Sequence, residues 1–300
     1  MKVVYEDNHL IVVYKEVGEI VQGDKTGDVP LSEKVEEYLR IKGNKPGRAF
    51  VGVVHRIDRP TSGVVIFAKT SKALSRLSDM FRRGEVHKKY HAVVCGQPPD
   101  DEATLKGWIV RNEAKNKSYI IGEKRGPAGN TQEGAKYAEL SYRTMERGER
   151  YTLVEIDLKT GRHHQIRCQM AAIGCPVRGD LKYGAPRSNA NGGIDLMAYS
   201  ISFVHPVRHE EVTFVSPYEL KINPKMSLER FSSFVRMKAL LFGIFLSLTA
   251  SCSQSSLAVA RYNFETLETK LLDINEKSAR SLMTFLGLRD QIKTRGIDTR

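Results

Sequence analysis

Residues 53–70 read VVHRIDRPTSGVVIFAKT. A short apolar run is interrupted by charged and turn-forming residues and resumes as VVIFA from Val64, a strand–turn–strand pattern. One acid, Asp58, stands between Arg56 and Arg59, and Pro60, Thr61, Ser62 and Gly63 follow it, so it falls on the turn. Two cations beside a carboxylate favour its ionised form. That state suits a nucleophile or an electrostatic group better than a general acid. Taken alone, the stretch fits a surface Arg-Asp-Arg turn without function at least as well.

Working outward, further β-branched runs of strand length recur: LIVVY from Leu10, YHAVV from Tyr90, YTLVEIDL from Tyr151 and EVTFV from Glu211. Each is bounded by Gly, Pro, Asp or Asn. Three segments have helical spacing instead. LSEKVEEYLRIKG, after Pro30, sets Leu31, Val35, Tyr38 and Leu39 on one face and stops at Gly43. KALSRLSDMFRRG has Ser71 as its N-cap, a stripe of Leu74, Leu77 and Phe81, and Gly84 at its end. RHHQIRCQMAAIG, after Gly161, carries Ile166, Met170 and Ile173 and closes at Gly174. Few strands are joined through helices, so regular βαβ winding is not indicated. An antiparallel or mixed sheet in an α+β fold is expected.

The whole chain has 300 residues, 47 Lys and Arg against 35 Asp and Glu, and a net charge of +12. Its 41% hydrophobic content supports a packed core and excludes wholesale disorder. The basic surplus favours an anionic partner, whether nucleic acid, phosphorylated ligand or membrane surface, although solvated surface cations would give the same sum. Four cysteines without a CxxC pair make neither a disulfide scaffold nor a zinc ribbon. The opening MKVVYEDNHLIVVYK has charges inside its apolar stretch and is not a signal peptide. An intracellular enzyme or nucleic-acid-binding protein is expected.

Residues 226–300 differ in kind. RMKALLFGIFLSLTASCSQSSLA has the basic, apolar and small-residue order of a secretory signal, confined to about 237–260. It is short for a span of ~20 residues. Thr249 stands where a lipoprotein signal has a branched aliphatic residue. Three readings remain open: a neighbouring reading frame starting at Met226 or Met237, a helix packed on the enzyme, or a membrane tether. Residues 1–225 are expected to be the functional domain.

Other chemistry-bearing patterns are weaker. His87 and His91 are four apart, but HKKYHAVVCG reads as strand and offers no third ligand. His163 and His164 would diverge on a helix. GEKRGPAGNTQEG, from Gly122, lacks the Lys-Ser/Thr ending of a phosphate-cradling loop. No GxSxG elbow is present, and only one acid stands out where glycosidases need two.

Read together, HRIDRPTSGVVIFAKT, VHKKYHAVVCG, LKTGRHHQIRCQMAAIGCPVRGDLKYG and IDLMAYSISFVHPV resemble the RluA family of RNA pseudouridine synthases. The opening YEDNHLIVVYKEVGEIV resembles that family's first strand pair, so the likeness runs over about residues 1–218. It implies the pseudouridine synthase fold: a mixed, largely antiparallel sheet with flanking helices and a basic cleft. It places the catalytic aspartate at Asp58, the active-site tyrosine at Tyr90, the arginine that pairs with the aspartate at Arg167, and the aliphatic wall of the uracil pocket at Leu196. Arg56 matches the arginine that enters the RNA where the target base leaves, and Arg59 and Arg162 join the substrate-binding set. Lys88 and Lys89 are candidate phosphate contacts, or else part of a solvated face. Two positions depart from the family pattern: His163, where Thr or Pro is usual, and Met197 in LMA, where LHA is common.

The implied reaction breaks the C1′–N1 bond of uridine, rotates the uracil and joins C1′ to C5. Nothing is oxidised and no water enters, so neither cofactor nor metal is expected. Asp58 would attack C1′ or remove a sugar proton. The expected partner is ribosomal RNA, transfer RNA or both, met by a monomer in the cytoplasm, with target choice resting on the catalytic domain's own loops. The rivals are an RNA-binding protein or folding chaperone on the same scaffold, and an enzyme tethered to a membrane by residues 237–260.

Overall fold

The computed structural model describes residues 1–44, 46–121 and 134–222. The expectations placed on the glycine-rich stretch from Gly122 and on the tail 226–300 lie outside these residues. Met1–Pro224 forms one compact unit. Its described strands are β1 (Lys2–Glu6), β2 (Leu10–Lys15), β3 (Gly52–Val53), β4 (Ser62–Ala68), β5 (His87–Cys95), β6 (Glu102–Asn112), β7 (Lys117–Ile121), β8 (Lys136–Arg147), β9 (Tyr151–Leu158), β10 (Leu196–Val204) and β11 (Glu211–Val215). Three α-helices accompany them: α1 (Leu31–Lys42), α2 (Ser71–Arg83) and α3 (Gln165–Ala172).

The strands form one sheet in the order β1-β2-β4-β10-β5-β9-β8-β6-β7, with β3 on β4 and β11 on β10. The pairings are antiparallel except β4 with β10, where Ser62 and Gly63 face Met197 and Ala198. The fold is α+β with a mixed, largely antiparallel sheet. The parallel pair is short because β10 leaves β4 after Ala198 and continues beside β11 from Ser200. Gly63 makes that junction possible. It adopts φ +127°, and a Cβ there would meet the Ala198 carbonyl oxygen at 2.3 Å.

Strand β2 is buried along its whole length, which explains an apolar run instead of alternation. Ile11 and Val13 pack with Leu31, Val35 and Leu39 of α1 and with Ile166 and Met170 of α3. Leu10 and Val12 face the other way, onto Ala73, Leu77 and Met80 of α2. Each such aliphatic side chain taken out of water stabilises the fold by roughly 1.5–3 kcal/mol. Helix ends differ slightly from the sequence reading. Thr70 caps α2, accepting from the Ala73 N–H at 3.2 Å, so Ser71 is its first helical residue. Its buried stripe is Ala73, Leu77 and Met80, with Leu74 and Phe81 packed at the margin. Helix α3 starts at Gln165, later than the residues after Gly161 suggested. The Gln165 side chain folds back to accept from the Arg162 N–H and the Thr160 hydroxyl, which holds 160–164 as a turn. Among the described residues no helix is long and apolar enough to cross a membrane.

Candidate active site

The loop between β3 and β4 carries the HRIDR sequence, and buried groups hold it from beneath. Lys15, fully buried at the end of β2, donates to the carbonyls of Glu16, Arg59 and Thr61 at 3.0, 3.1 and 2.7 Å. Burial pulls its pKa down to about 8. His55 accepts from the Ile66 N–H at 3.0 Å and stacks on Phe81; burial lowers its pKa to about 4, so it stays neutral. The Thr61 N–H donates to the Asp58 carbonyl at 3.0 Å and closes the turn. With its backbone fixed, Asp58 directs its carboxylate toward the start of α3.

There Arg167 meets it. Nη1 donates to Asp58 Oδ2 at 3.0 Å, while Nε and Nη2 donate to Asp180 at 2.6 and 2.9 Å. Burial works against the guanidinium charge, but the bonds to Asp180 and Asp58 outweigh it and raise the Arg167 pKa above its ordinary value. Arg56 and Arg59, the cations adjacent in sequence, do not pair with Asp58. Arg59 turns away to Asp28 at 2.6 Å, and Arg56 lies exposed with no ion pair among the described residues. The neutralising cation comes instead from 109 positions along the chain.

A second group reaches the same carboxylate. His164 takes left-handed backbone, φ 52°, at the N-terminus of α3 and sets Nε2 3.5 Å from Asp58 Oδ2. Burial, then Arg167, lowers its pKa to about 3, so the ring is neutral. On the other side of the ring, Nδ1 shares a hydrogen bond with the Tyr183 hydroxyl at 3.1 Å. Tyr183 in turn accepts from the Ser118 N–H at 2.8 Å and lies against the Arg167 guanidinium. His163 and His164 do not diverge. They precede the helix, and their rings stack 3.8 Å apart at 22°.

Asp58, Tyr90, Arg167, Leu196, Arg56 and Arg162 line one inner pocket of about 100 Å³. It opens into a cleft of about 850 Å³ whose walls add Arg59, Lys88, Arg111, His163 and Lys182. Tyr90 lies on β5 opposite Ala198 of β10, and Leu196 begins β10. Burial, reinforced by Asp58, drives the Tyr90 phenol far above its ordinary pKa, so it is protonated. Arg162 donates to the Tyr137 carbonyl at 2.7 Å and stays exposed. Lys88 shares the Tyr90 face of β5, but Lys89 is on the opposite face and pairs with Glu155 at 3.2 Å. Lys89 therefore fits the solvated-face reading, and Lys88 is the candidate phosphate contact of the two. On that opposite face His91 is buried and stacked on Tyr199, while His87 is exposed. Among the described residues no group of three His, Cys, Asp or Glu side chains is placed to hold a metal.

The sequence reading missed Lys15, His164, Asp180 and Tyr183. Asp180 and Tyr183 lie inside RGDLKYG, whose order carries no periodic signal. Lys15 had one: a single charge closing an apolar run.

Comparison with known proteins places the chain in a family. The family model for RNA pseudouridylate synthase matches residues 9–172. An RNA pseudouridine synthase of Bacillus subtilis is 34% identical over 220 residues, 72% of this chain and 69% of that one. Ribosomal large subunit pseudouridine synthase C of Vibrio cholerae is 32% identical over 234 residues, 76% of this chain and 69% of its own. Among solved structures, human RNA pseudouridylate synthase domain containing 4 superposes with a TM-score of 0.62 at 21% identity, covering 74% of this chain and 90% of that one, a likeness of fold. With a family match over more than half its length and relatives aligned across most of theirs, the chain belongs to the RluA family of RNA pseudouridine synthases, isomerases that act on uridine in RNA.

Proposed function

We propose that this enzyme isomerises specific uridines of ribosomal RNA, and on the same chemistry of transfer RNA, with Asp58 as its catalytic carboxylate. The observation that carries the reading is the Asp58 carboxylate facing the inner pocket, held at 3.0 Å by Arg167 and walled by Tyr90 and Leu196. A stacked uridine must leave the helix to reach such a pocket, at a cost of a few kcal/mol that pocket contacts offset. Tyr90 and Leu196 supply the aromatic and aliphatic walls for the uracil ring. Asp58 then attacks C1′ or removes a sugar proton, and either route frees the base to turn and rejoin through C5. The C5 hydrogen leaves as a proton; the Tyr90 phenol, kept protonated, is a donor and a stacking surface and not a base at neutral pH.

The mouth of the pocket suits a polyanion. Arg56, Arg162 and Lys88 lie around it, and such contacts make binding salt-sensitive. Arg59, already tied to Asp28, contributes its charge to the outer wall. The Vibrio relative's name, a ribosomal large subunit enzyme, supports ribosomal RNA as the first substrate to test. We assign the chemistry to residues 1–225, acting as a monomer in the cytoplasm where that RNA is found, and none of it to the tail 226–300. The reaction's stoichiometry calls for neither cofactor nor metal.

Asp58→Asn tests the assignment. Chemical mapping of pseudouridine in total RNA, with and without the gene, identifies the uridine. The variant is expected to leave it unmodified while RNA affinity stays within a few fold. Pseudouridine formed by Asp58→Asn at the wild-type rate overturns the mechanism.

A further inference from the structure

Where the family usually has Thr or Pro, this chain has His163, and its surroundings fix which ring nitrogen carries the proton. Ser118, buried on β7, has one hydroxyl hydrogen. It goes to the His163 carbonyl, 2.7 Å away, because a carbonyl only accepts. The same Oγ is 2.9 Å from His163 Nδ1, so in that contact Nδ1–H donates and the hydroxyl accepts. A neutral imidazole protonated on Nδ1 leaves Nε2 as a bare acceptor. Burial, followed by the nearby Arg111, moves the His163 pKa below its ordinary value and favours that neutral ring.

The position of the ring gives the acceptor a use. His163 is half-buried and lines the outer cleft without entering the inner pocket. It is stacked on His164, which contacts Asp58, so it stands one ring away from the carboxylate. Nε2 has no hydrogen-bond partner among the described residues. The cleft it lines holds the cations Arg56, Arg111 and Lys182 beside the amide of Asn116 and the carboxylates of Asp24 and Asp58. Those cations suit phosphates. A neutral acceptor among them does not, and is matched instead by a hydrogen-bond donor.

We propose that His163 Nε2 accepts a hydrogen bond from the nucleotide beside the extruded uridine, and so selects among RNA sites. Two parts of a nucleotide supply such a donor: an exocyclic amino group of the base and the ribose 2′-hydroxyl. The proposal deepens the RNA-isomerase reading above and rests on it.

Two measurements test it. The first does not involve activity: nitrogen chemical shifts of His163 in the labelled full chain should show protonated Nδ1 and bare Nε2, and Ser118→Ala should mix the two tautomers. A ring protonated on Nε2 in the wild type overturns the proposal. The second uses a short stem-loop RNA carrying the mapped uridine. Each flanking nucleotide is changed in turn to its 2′-deoxy form or to a base lacking the amino group (inosine for guanosine, purine riboside for adenosine). One change should lower wild-type kcat/KM about tenfold, the equivalent of one hydrogen bond of about 1.4 kcal/mol, and should leave His163→Ala unaffected. A sugar change with this signature identifies the ribose, a base change the amino group. His163→Thr, which restores the usual family residue, should lose the same sensitivity while melting like the wild type. Sensitivity to every flanking change that is equal in wild type and His163→Ala overturns the proposal. A wild type that leaves the uridine of this RNA unmodified defeats the isomerase reading itself, and this proposal with it.

Discussion

Asp180→Asn separates the support of the site from its chemistry. The Asp180 side chain is 1% exposed and that of Arg167 6%, so their two hydrogen bonds form a desolvated ion pair. Removing one charge from a buried pair costs about 3–5 kcal/mol, because the other charge is left uncompensated. Asparagine keeps one acceptor oxygen, but its amide N–H groups face one of the two guanidinium donors now held at 2.6 and 2.9 Å. Asp58 still offers Arg167 one bond, which places the expected loss near the lower figure, about 3 kcal/mol. At about 2–4 °C per kcal/mol for a domain of this size, Tm should fall by roughly 6–12 °C. The chemical consequence has a different origin. Asp180 occupies Nε and Nη2 of Arg167 and leaves only Nη1 for Asp58. Once Asp180 is neutral, Asp58 becomes the guanidinium's remaining carboxylate partner, and a two-pronged pair forms around the oxygen that must react. Each ~1.4 kcal/mol by which that pair tightens lowers the rate tenfold, so kcat should drop about 10–100-fold with KM much less affected. Joining C5 to C1′ expels the C5 hydrogen, so tritium release from RNA labelled at uridine C5 follows turnover. A variant that melts with the wild type and retains its kcat would refute both halves of the reasoning.

Four further substitutions, one of them a control, test other positions. Gly63→Ala sets a Cβ 2.3 Å from the Ala198 carbonyl in backbone at φ +127°, and should cost more than about 4 kcal/mol or abolish folding; Gly161→Ala, whose Cβ meets nothing nearer than Lys88 Nζ at 3.8 Å, should express and melt normally. Lys15 titrates near 8 when folded, lowered by burial, against about 10.4 unfolded, so between those values the unfolded chain holds the extra proton and rising pH favours the fold. Urea titrations should therefore show wild type gaining about 3 kcal/mol relative to Lys15→Met between pH 8 and 10.5, and a constant difference would refute the buried charge. Arg56→Ala should leave stability unchanged while lowering RNA affinity and reducing the salt slope by about one; an unchanged slope in titrations across salt concentrations would remove Arg56 from the RNA contact.

The parts of this fold legible in the sequence share a physical reason. Strands β2, β4, β5 and β9 read as strands because packing around them leaves long apolar runs. Strands β6 and β8 escaped notice because their burial alternates with exposed, charged positions, as in EATLKGWIVRN and KYAELSYRTMER, and β7 is short and partly exposed. The turn at Asp58 was legible from Pro60 and Gly63. Its partner was legible only through the family resemblance, which placed it at Arg167: adjacency in sequence nominated Arg56 and Arg59, yet the pairing cation arrives through tertiary structure. Asp180 is beyond local reading for the same reason, since a carboxylate is required there only once Arg167 has been buried.

What brings the site together is the late strand β10. It inserts between β4 and β5, and all three come from different parts of the chain. Asp58 precedes β4, Tyr90 lies on β5, and Leu196 opens β10, so the insertion places an acid, an aromatic ring and an aliphatic wall around one opening. Strand β9 pairs with the far edge of β5, and the chain leaving it turns through His163 and His164 into α3, which delivers Arg167 to Asp58. The four segments that carry the family resemblance are therefore spatial neighbours, each contributing a different chemical group. Gly63 is the point at which this depends on a single atom: a side chain there would push β10 away from β4 and separate Leu196 from Asp58, although neither residue would have changed.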